Sequence, residues 1–235
     1  MKNKVLKRMV AVFLSLSIIM CLSACSGKDG EKQSGSIDKN CKVGDYITFG
    51  TYEQDNDTLN GKEPIEWLVL DKKDGKVFVI SKYALDCKSY NDEYEAVTWE
   101  TCALRAWLNN EFINEAFSST EQEGILISTV SDNKNPVYDT DPGKATQDKV
   151  FLLSINEAEK YFSSANERQC KPTDYAVANG VKESSGNGNC WWWLRSPGNY
   201  QSHAAGVCSD GSFSESGYTI LSVYASVRPA MWINF

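Results

Sequence analysis

The sequence predicts an α+β domain over residues 41–235, and three observations carry that reading. Apolar runs at strand spacing open and close the stretch. Helical spacing and capping signals fill its middle. Strands and helices do not alternate regularly, as a parallel α/β sheet would require.

Taken in order, Val43-Gly44-Asp45-Tyr46-Ile47-Thr48-Phe49-Gly50 alternates like an opening strand. Glu66-Trp67-Leu68-Val69-Leu70 and Val77-Phe78-Val79-Ile80 flank Lys73-Asp74-Gly75-Lys76, a strong hairpin signal. Both strands are apolar on both faces, so the hairpin is expected inside a covered sheet. Trp99, Ala103, Leu104, Trp107 and Leu108 then recur at helical spacing, with Thr98 as the expected N-cap. Phe112, Ile113 and Phe117 extend the pattern past a break at Asn109-Asn110. Ser118-Ser119-Thr120-Glu121 reads as a capping box.

The polar stretch from Ser131 to Lys149, with Pro136 and Pro142-Gly143, predicts a long loop. Lys149-Val150-Phe151-Leu152-Leu153 reads as a short buried strand. Ser154-Ile155-Asn156-Glu157 opens a helix through Phe162, and Thr173 caps another turn ending near Gly180. Cys190–Arg195 is expected as a strand. Ser209-Asp210-Gly211-Ser212 joins a further hairpin, and Ser226–Phe235 forms a closing strand tied down by pairing.

Ahead of this domain stands a leader. Lys2, Lys4, Lys7 and Arg8 precede an apolar run from Met9 to Leu22, and Leu22-Ser23-Ala24-Cys25 follows. The order is that of a secretory signal. The run falls short of the ~20 apolar residues needed to span a bilayer as a helix. Residues 1–24 are therefore expected as a signal peptide and residues 25–40 as a polar tether. The four-residue ending resembles a bacterial lipoprotein lipobox, which implies cleavage before Cys25 and its acylation. Acyl chains on Cys25 would then make the membrane a partner, with the domain on the extracytoplasmic face of the cell membrane.

Loss of the leader removes four positive charges and no acids, leaving 20 basic against 31 acidic residues and a net charge of −11. Such a domain repels phosphates, so no nucleic-acid partner is expected. Six cysteines lie in the domain: Cys41, Cys87, Cys102, Cys170, Cys190 and Cys208. None has the two-residue spacing of a zinc knuckle or redox motif, and export permits disulfides without proving them. His203 is the only histidine, which excludes histidine-built zinc sites, and Ser196 has no nucleophile elbow around it. Gly186-Asn187-Gly188 lacks the lysine and helix of a phosphate loop. Asp132, Asp139, Asp141 and Asp148 sit in or beside the long loop as possible calcium donors, with a solvated loop as the default.

Trp191 and Trp193 project to one strand face and Trp192 to the other. If one face is uncovered, it presents an aromatic platform for a glycan, a peptide or a protein. If both are covered, all three are core residues. Arg195 and Arg228 are expected on neighbouring strands, paired with carboxylates such as Asp148 or Glu157 as fold-specifying links. Capture of a ligand carboxylate is the alternative.

Four segments together resemble a family of bacterial exported domains of unknown function, DUF6273. They are Leu104-Arg105-Ala106-Trp107-Leu108-Asn109, Asp148–Ser154, Trp193-Leu194-Arg195-Ser196-Pro197-Gly198 and Val227-Arg228-Pro229-Ala230-Met231-Trp232-Ile233. More distantly, the layout is similar to the C-type-lectin-like fold of the formylglycine-generating-enzyme superfamily. That resemblance implies paired N- and C-terminal strands, several short helices and long displayed loops. The Glu-Pro-Asn and Trp-Asn-Asp signatures of calcium-dependent lectins are missing, and Glu63-Pro64-Ile65 half resembles the first.

It also raises copper-dependent oxidation through Cys190 and Cys208. Were Arg195 to face Ala204, Cys190 would fall within one residue of Cys208, where a cross-strand disulfide is conceivable. Two buried thiols or a structural bridge are the simpler readings. With no convergent acid, base and nucleophile, the expectation is a non-enzymatic, lipid-anchored binding or interaction domain without a resident cofactor. A formylglycine-generating-enzyme-like oxidoreductase and a two-lobed solute-binding lipoprotein are the alternatives.

Overall fold

The computed structural model describes residues 39–234. The leader, Cys25 and nearly all of the tether lie outside the described residues. No helix among those described is long and apolar enough to cross a membrane.

The domain is α+β and mostly strands. One five-stranded sheet has the order β1 (Tyr46–Tyr52), β2 (Glu63–Lys73), β3 (Lys76–Ser81), β12 (Ala230–Asn234), β7 (Val150–Phe151). A second has the order β10 (Phe213–Thr219), β9 (His203–Val207), β8 (Trp192–Pro197), β11 (Ser226–Val227), β4 (Asp86–Cys87). A small ladder pairs β5 (Ser128–Val130) with β6 (Thr146–Asp148). The described residues share one hydrophobic core.

The β2–β3 turn is made by Asp74 at φ 51° and Gly75 at φ 76°. Two left-handed residues in succession give the tight hairpin turn whose twist matches the flanking strands. Val77, Val79 and Ile80 are fully buried and Phe78 nearly so, as expected of a covered sheet. The closing strand differs from expectation. It breaks at Arg228-Pro229 into β11 and β12, which belong to different sheets. Proline has no N–H for a ladder, and its carbonyl instead accepts from Ser81 (2.9 Å). The first and last strands share a sheet but do not pair, because β2 and β3 lie between them.

The helices are short: α1 (Ala103–Trp107), α2 (Ile113–Ala116), α3 (Ser119–Gly124), α4 (Ile155–Tyr161), α5 (Ala165–Arg168) and α6 (Asp174–Ala178). Ser118 and Ser154 form the two expected capping boxes, and Thr173 caps α6. Thr98 does not cap α1, which begins after Cys102. Asn91 Oδ1 accepts the Ala103 N–H (3.0 Å), so a distant side chain supplies the cap.

The break at Asn109-Asn110 is a π-helical turn, Leu108–Phe112, between α1 and α2. Asn109 Oδ1 accepts the N–H of Lys149 (2.9 Å) and Val150 (3.2 Å), while its amide donates to Val150 O (2.9 Å). One side chain thus replaces a missing strand partner beside β7. Of the expected loop Ser131–Lys149, residues 131–145 are irregular, but its end pairs as β6 with β5.

Candidate functional site

The two sheets are joined twice by short passages, from β3 to β4 and from β11 to β12. Leu85 N donates to Val227 O (2.9 Å), and Arg228 Nε donates to Ser81 O (2.9 Å), so the passages are laced side by side. Arg228 therefore sits at the junction of both sheets. It is 3% exposed, with its guanidinium 5.1 Å from the Trp192 ring centre and 5.4 Å from that of Phe162. Its Nη1 is buried and has no hydrogen-bond partner. A buried guanidinium N–H without an acceptor costs free energy, about 1–3 kcal/mol for a neutral group and more for a charged one.

Arg228 lines a groove of about 510 Å³ whose walls include Tyr46 and Leu68 on one side and Tyr161, Phe162 and Gln169 on the other. Lys82 also lines it, but its ammonium is paired with Glu66 at 2.7 Å. That pairing raises the Lys82 pKa. Arg228 is thus the cation whose donor capacity is left open. A polar floor between aromatic walls suits a ligand with an anionic group on an apolar body.

Every guanidinium nitrogen of Arg195, by contrast, has an acceptor. Its Nε donates to Asn133 Oδ1 (2.6 Å), Nη1 to Leu152 O (2.7 Å) and to Glu157, and Nη2 to Asp132 O (3.2 Å). Asn133 and Asp132 come from the long loop, so Arg195 pins that loop to β8. This is the fold-specifying link expected with Glu157, and it occupies all three guanidinium nitrogens. Asp148, the other expected partner, pairs instead with Arg105 (2.7 Å) and accepts from Trp99 Nε1 and Thr146 Oγ1.

The open tryptophan platform is corrected. Trp192 and Trp193 are fully buried, with indole N–H groups donating to Arg168 O (3.1 Å) and Lys88 O (2.9 Å). Both sheet faces are covered, because residues near α5 lie on one and the segment after β4 on the other. Trp191 is half-buried against Trp193 and Tyr218, with ring centres 4.4 and 4.5 Å away.

The Cys190–Cys208 pairing is corrected as well. All six cysteines of the described residues are free thiols. Trp192 faces Val207, the register expected at this end, yet Cys190 precedes the ladder and turns inward. Its N–H donates to Cys170 O (2.8 Å), and its sulfur lies 3.2 Å from Ser226 Oγ. Cys208 is half-buried, out beside Tyr218. An oxidoreductase centre built on these two thiols has no geometric basis. Cys190 instead lies against Cys170, its Sγ donating to Cys170 O (3.4 Å), while Cys170 Sγ donates to Lys171 O (3.4 Å). Burial alone would raise the Cys170 pKa, but the Cys190 thiol and the Arg228 guanidinium outweigh it and bring it down to about 7. Cys190 is pushed up by hydrogen bonding with the Cys170 side chain and by burial.

Nor do the loop acids gather into a calcium site. Asp148 is committed as above, Asp132 Oδ1 accepts from Asn156 (2.9 Å), and Asp141 Oδ1 accepts from Gly143 N (2.9 Å). Sequence reasoning missed the groove because its walls come from residues 43–46, 68–70, 161–169 and 228, which no local pattern links. The one available signal was Arg228 itself.

A two-sheet α+β domain with arginines buried at its seams, and an open groove over one of them, is the class of molecule described. The chain matches the model of the Domain of unknown function DUF6273 over residues 74–235, and it belongs to that family. No curated protein and no solved structure matches it.

Proposed function

We propose that this protein is a lipid-anchored, extracytoplasmic binding domain, without catalytic activity, that takes a ligand bearing an anionic group in the groove over Arg228. The observation that carries the reading is the buried, unpartnered Nη1 of Arg228 beneath aromatic walls. A ligand carboxylate would supply the missing acceptor, and Tyr46, Tyr161 and Phe162 would cover its apolar part. The ligand class is a glycan or peptide fragment carrying a carboxylate; a protein partner would present the same group from a side chain.

The anchor rests on Leu22-Ser23-Ala24-Cys25 and the basic, apolar leader before it. Acyl chains on Cys25 hold the domain to the outer face of the membrane, and the net charge of the mature chain argues against nucleic acid. We also propose a C-type-lectin-like scaffold. Its support is the pair of small sheets, the first and last strands sharing one of them without pairing, and the long irregular segment 131–145.

The test is a binding screen of full-length protein in detergent against carboxylate-bearing glycan and peptide fragments and their amidated counterparts. Charge-assisted hydrogen bonds contribute roughly 1.5–3 kcal/mol, so Arg228→Gln should weaken binding on the order of 10–100-fold. Tyr46→Ala, at a rim residue 53% exposed, should weaken it with the melting temperature unchanged. Equal binding of acids and amides by both variants and wild type would sink the reading.

A further inference from the structure

The β1–β2 connection begins and ends with a carboxylate. Glu53 follows β1 and Glu63 opens β2, and antiparallel pairing of Tyr52 with Glu63 brings the two ends together. Asp55 lies between them in sequence and joins them in space. One carboxylate oxygen from each of Glu53, Asp55 and Glu63 lies within 4.8 Å of the other two. Among the described residues no ion pair involves any of the three.

The loop holds these groups by its own hydrogen bonds. Glu63 Oε2 accepts the N–H of Gln54 (2.7 Å), Asp55 Oδ1 that of Asp57 (2.8 Å), and Asp55 Oδ2 the Asn60 amide (2.8 Å). Gln54 O accepts the Tyr175 N–H from α6 (3.0 Å), which ties the loop to the domain. Acidic side chains on a solvated loop would ordinarily need no ion. Glu53 is different: it is 6% exposed, and its Oε1 is buried without a hydrogen-bond donor. A carboxylate oxygen shielded from water, beside two more carboxylates, is costly as an anion. It is relieved either by a proton, which is why the Glu53 pKa is raised, or by a bound cation.

We propose that Glu53, Asp55 and Glu63 form a binding site for a divalent cation, with calcium as the preferred ion. The donors are all oxygen, which selects hard cations over zinc or copper. Three carboxylates on a loop offer the irregular, adaptable geometry that calcium accepts, whereas magnesium demands a near-octahedral shell and keeps its waters. Bound there, the ion clamps the end of β1 to the start of β2. It lies apart from the Arg228 groove and does not depend on it.

The test uses full-length protein in detergent, stripped with a chelator and titrated with calcium chloride, then with magnesium chloride. Terbium luminescence, sensitised through neighbouring tyrosines such as Tyr52, reads occupancy directly. Calcium should raise the melting temperature with a midpoint of about 0.1–1 mM, the range of extracellular modules, and magnesium should do so less. Glu53→Gln and Asp55→Asn should abolish both the rise and the luminescence, while Asp141→Asn keeps them. Asp55 is exposed, so Asp55→Asn still decides the matter if Glu53→Gln fails to fold. No calcium-dependent rise and no luminescence in wild type, or an undiminished response in Asp55→Asn, would overturn the proposal.

Discussion

Cys170 and Cys190 illustrate how single residues acquire properties that composition does not contain. Both are buried, as unpaired cysteines commonly are. Yet Arg228 and the Cys190 thiol favour the Cys170 thiolate, lowering its pKa from an ordinary value of 9.0 to about 7. A group whose folded pKa is depressed adds stability above its unfolded pKa, and that stability is lost as pH falls through the folded value. The contribution is therefore complete above about pH 9 and absent below about pH 7. Cys190, with its pKa raised, stays a thiol throughout that window. Cys170→Ala should accordingly erase a gain in unfolding free energy between pH 7 and 9, on the order of 2 kcal/mol. Denaturant melts of both proteins across that range check it; parallel profiles would refute the thiolate.

Among elements, the β9–β10 turn and α5 are built to touch. Arg168 Nε donates to Gly211 O at 2.8 Å, and a Cβ on Gly211 would stand 1.8 Å from Ala165 O. Gly211 also has φ +85°, a conformation that L side chains rarely adopt. Gly75 has φ +76° but nothing within 4 Å of its would-be Cβ. Gly211→Ala thus adds a collision to backbone strain and should destabilise by at least about 2 kcal/mol. Gly75→Ala should lose only the conformational term, about 1 kcal/mol. Thermal melts that rank the two variants equally would refute the contact between turn and helix.

Much at this scale was legible in advance. Ser118, Ser154 and Thr173 announce their helices because capping is local chemistry between residues three apart. Asp74-Gly75 announces its hairpin for a similar reason. The cap of α1 was not legible, since Asn91 reaches it from twelve residues away. Nor was the split of the closing strand, where Pro229 leaves one sheet for the other.

For the whole molecule, the expected consequence of the leader concerns location. Cys25→Ala should release the protein from the membrane fraction and abolish acyl labelling; retained labelling would refute modification at that thiol. Durable attachment would take more than one acyl chain on Cys25, because one chain alone binds marginally.

Much of the mixed architecture and the acidic charge are properties of the chain read residue by residue, because strand alternation, capping boxes and net charge depend on neighbours in sequence. What the tertiary structure alone decided is which polar groups remain unsatisfied. Arg195 and Arg228 look alike in sequence, but the long loop, Leu152 and Glu157 give every guanidinium nitrogen of the first an acceptor, while Nη1 of the second has none. Hydrogen-bond satisfaction belongs to groups brought together from distant segments, and only folding assigns those partners.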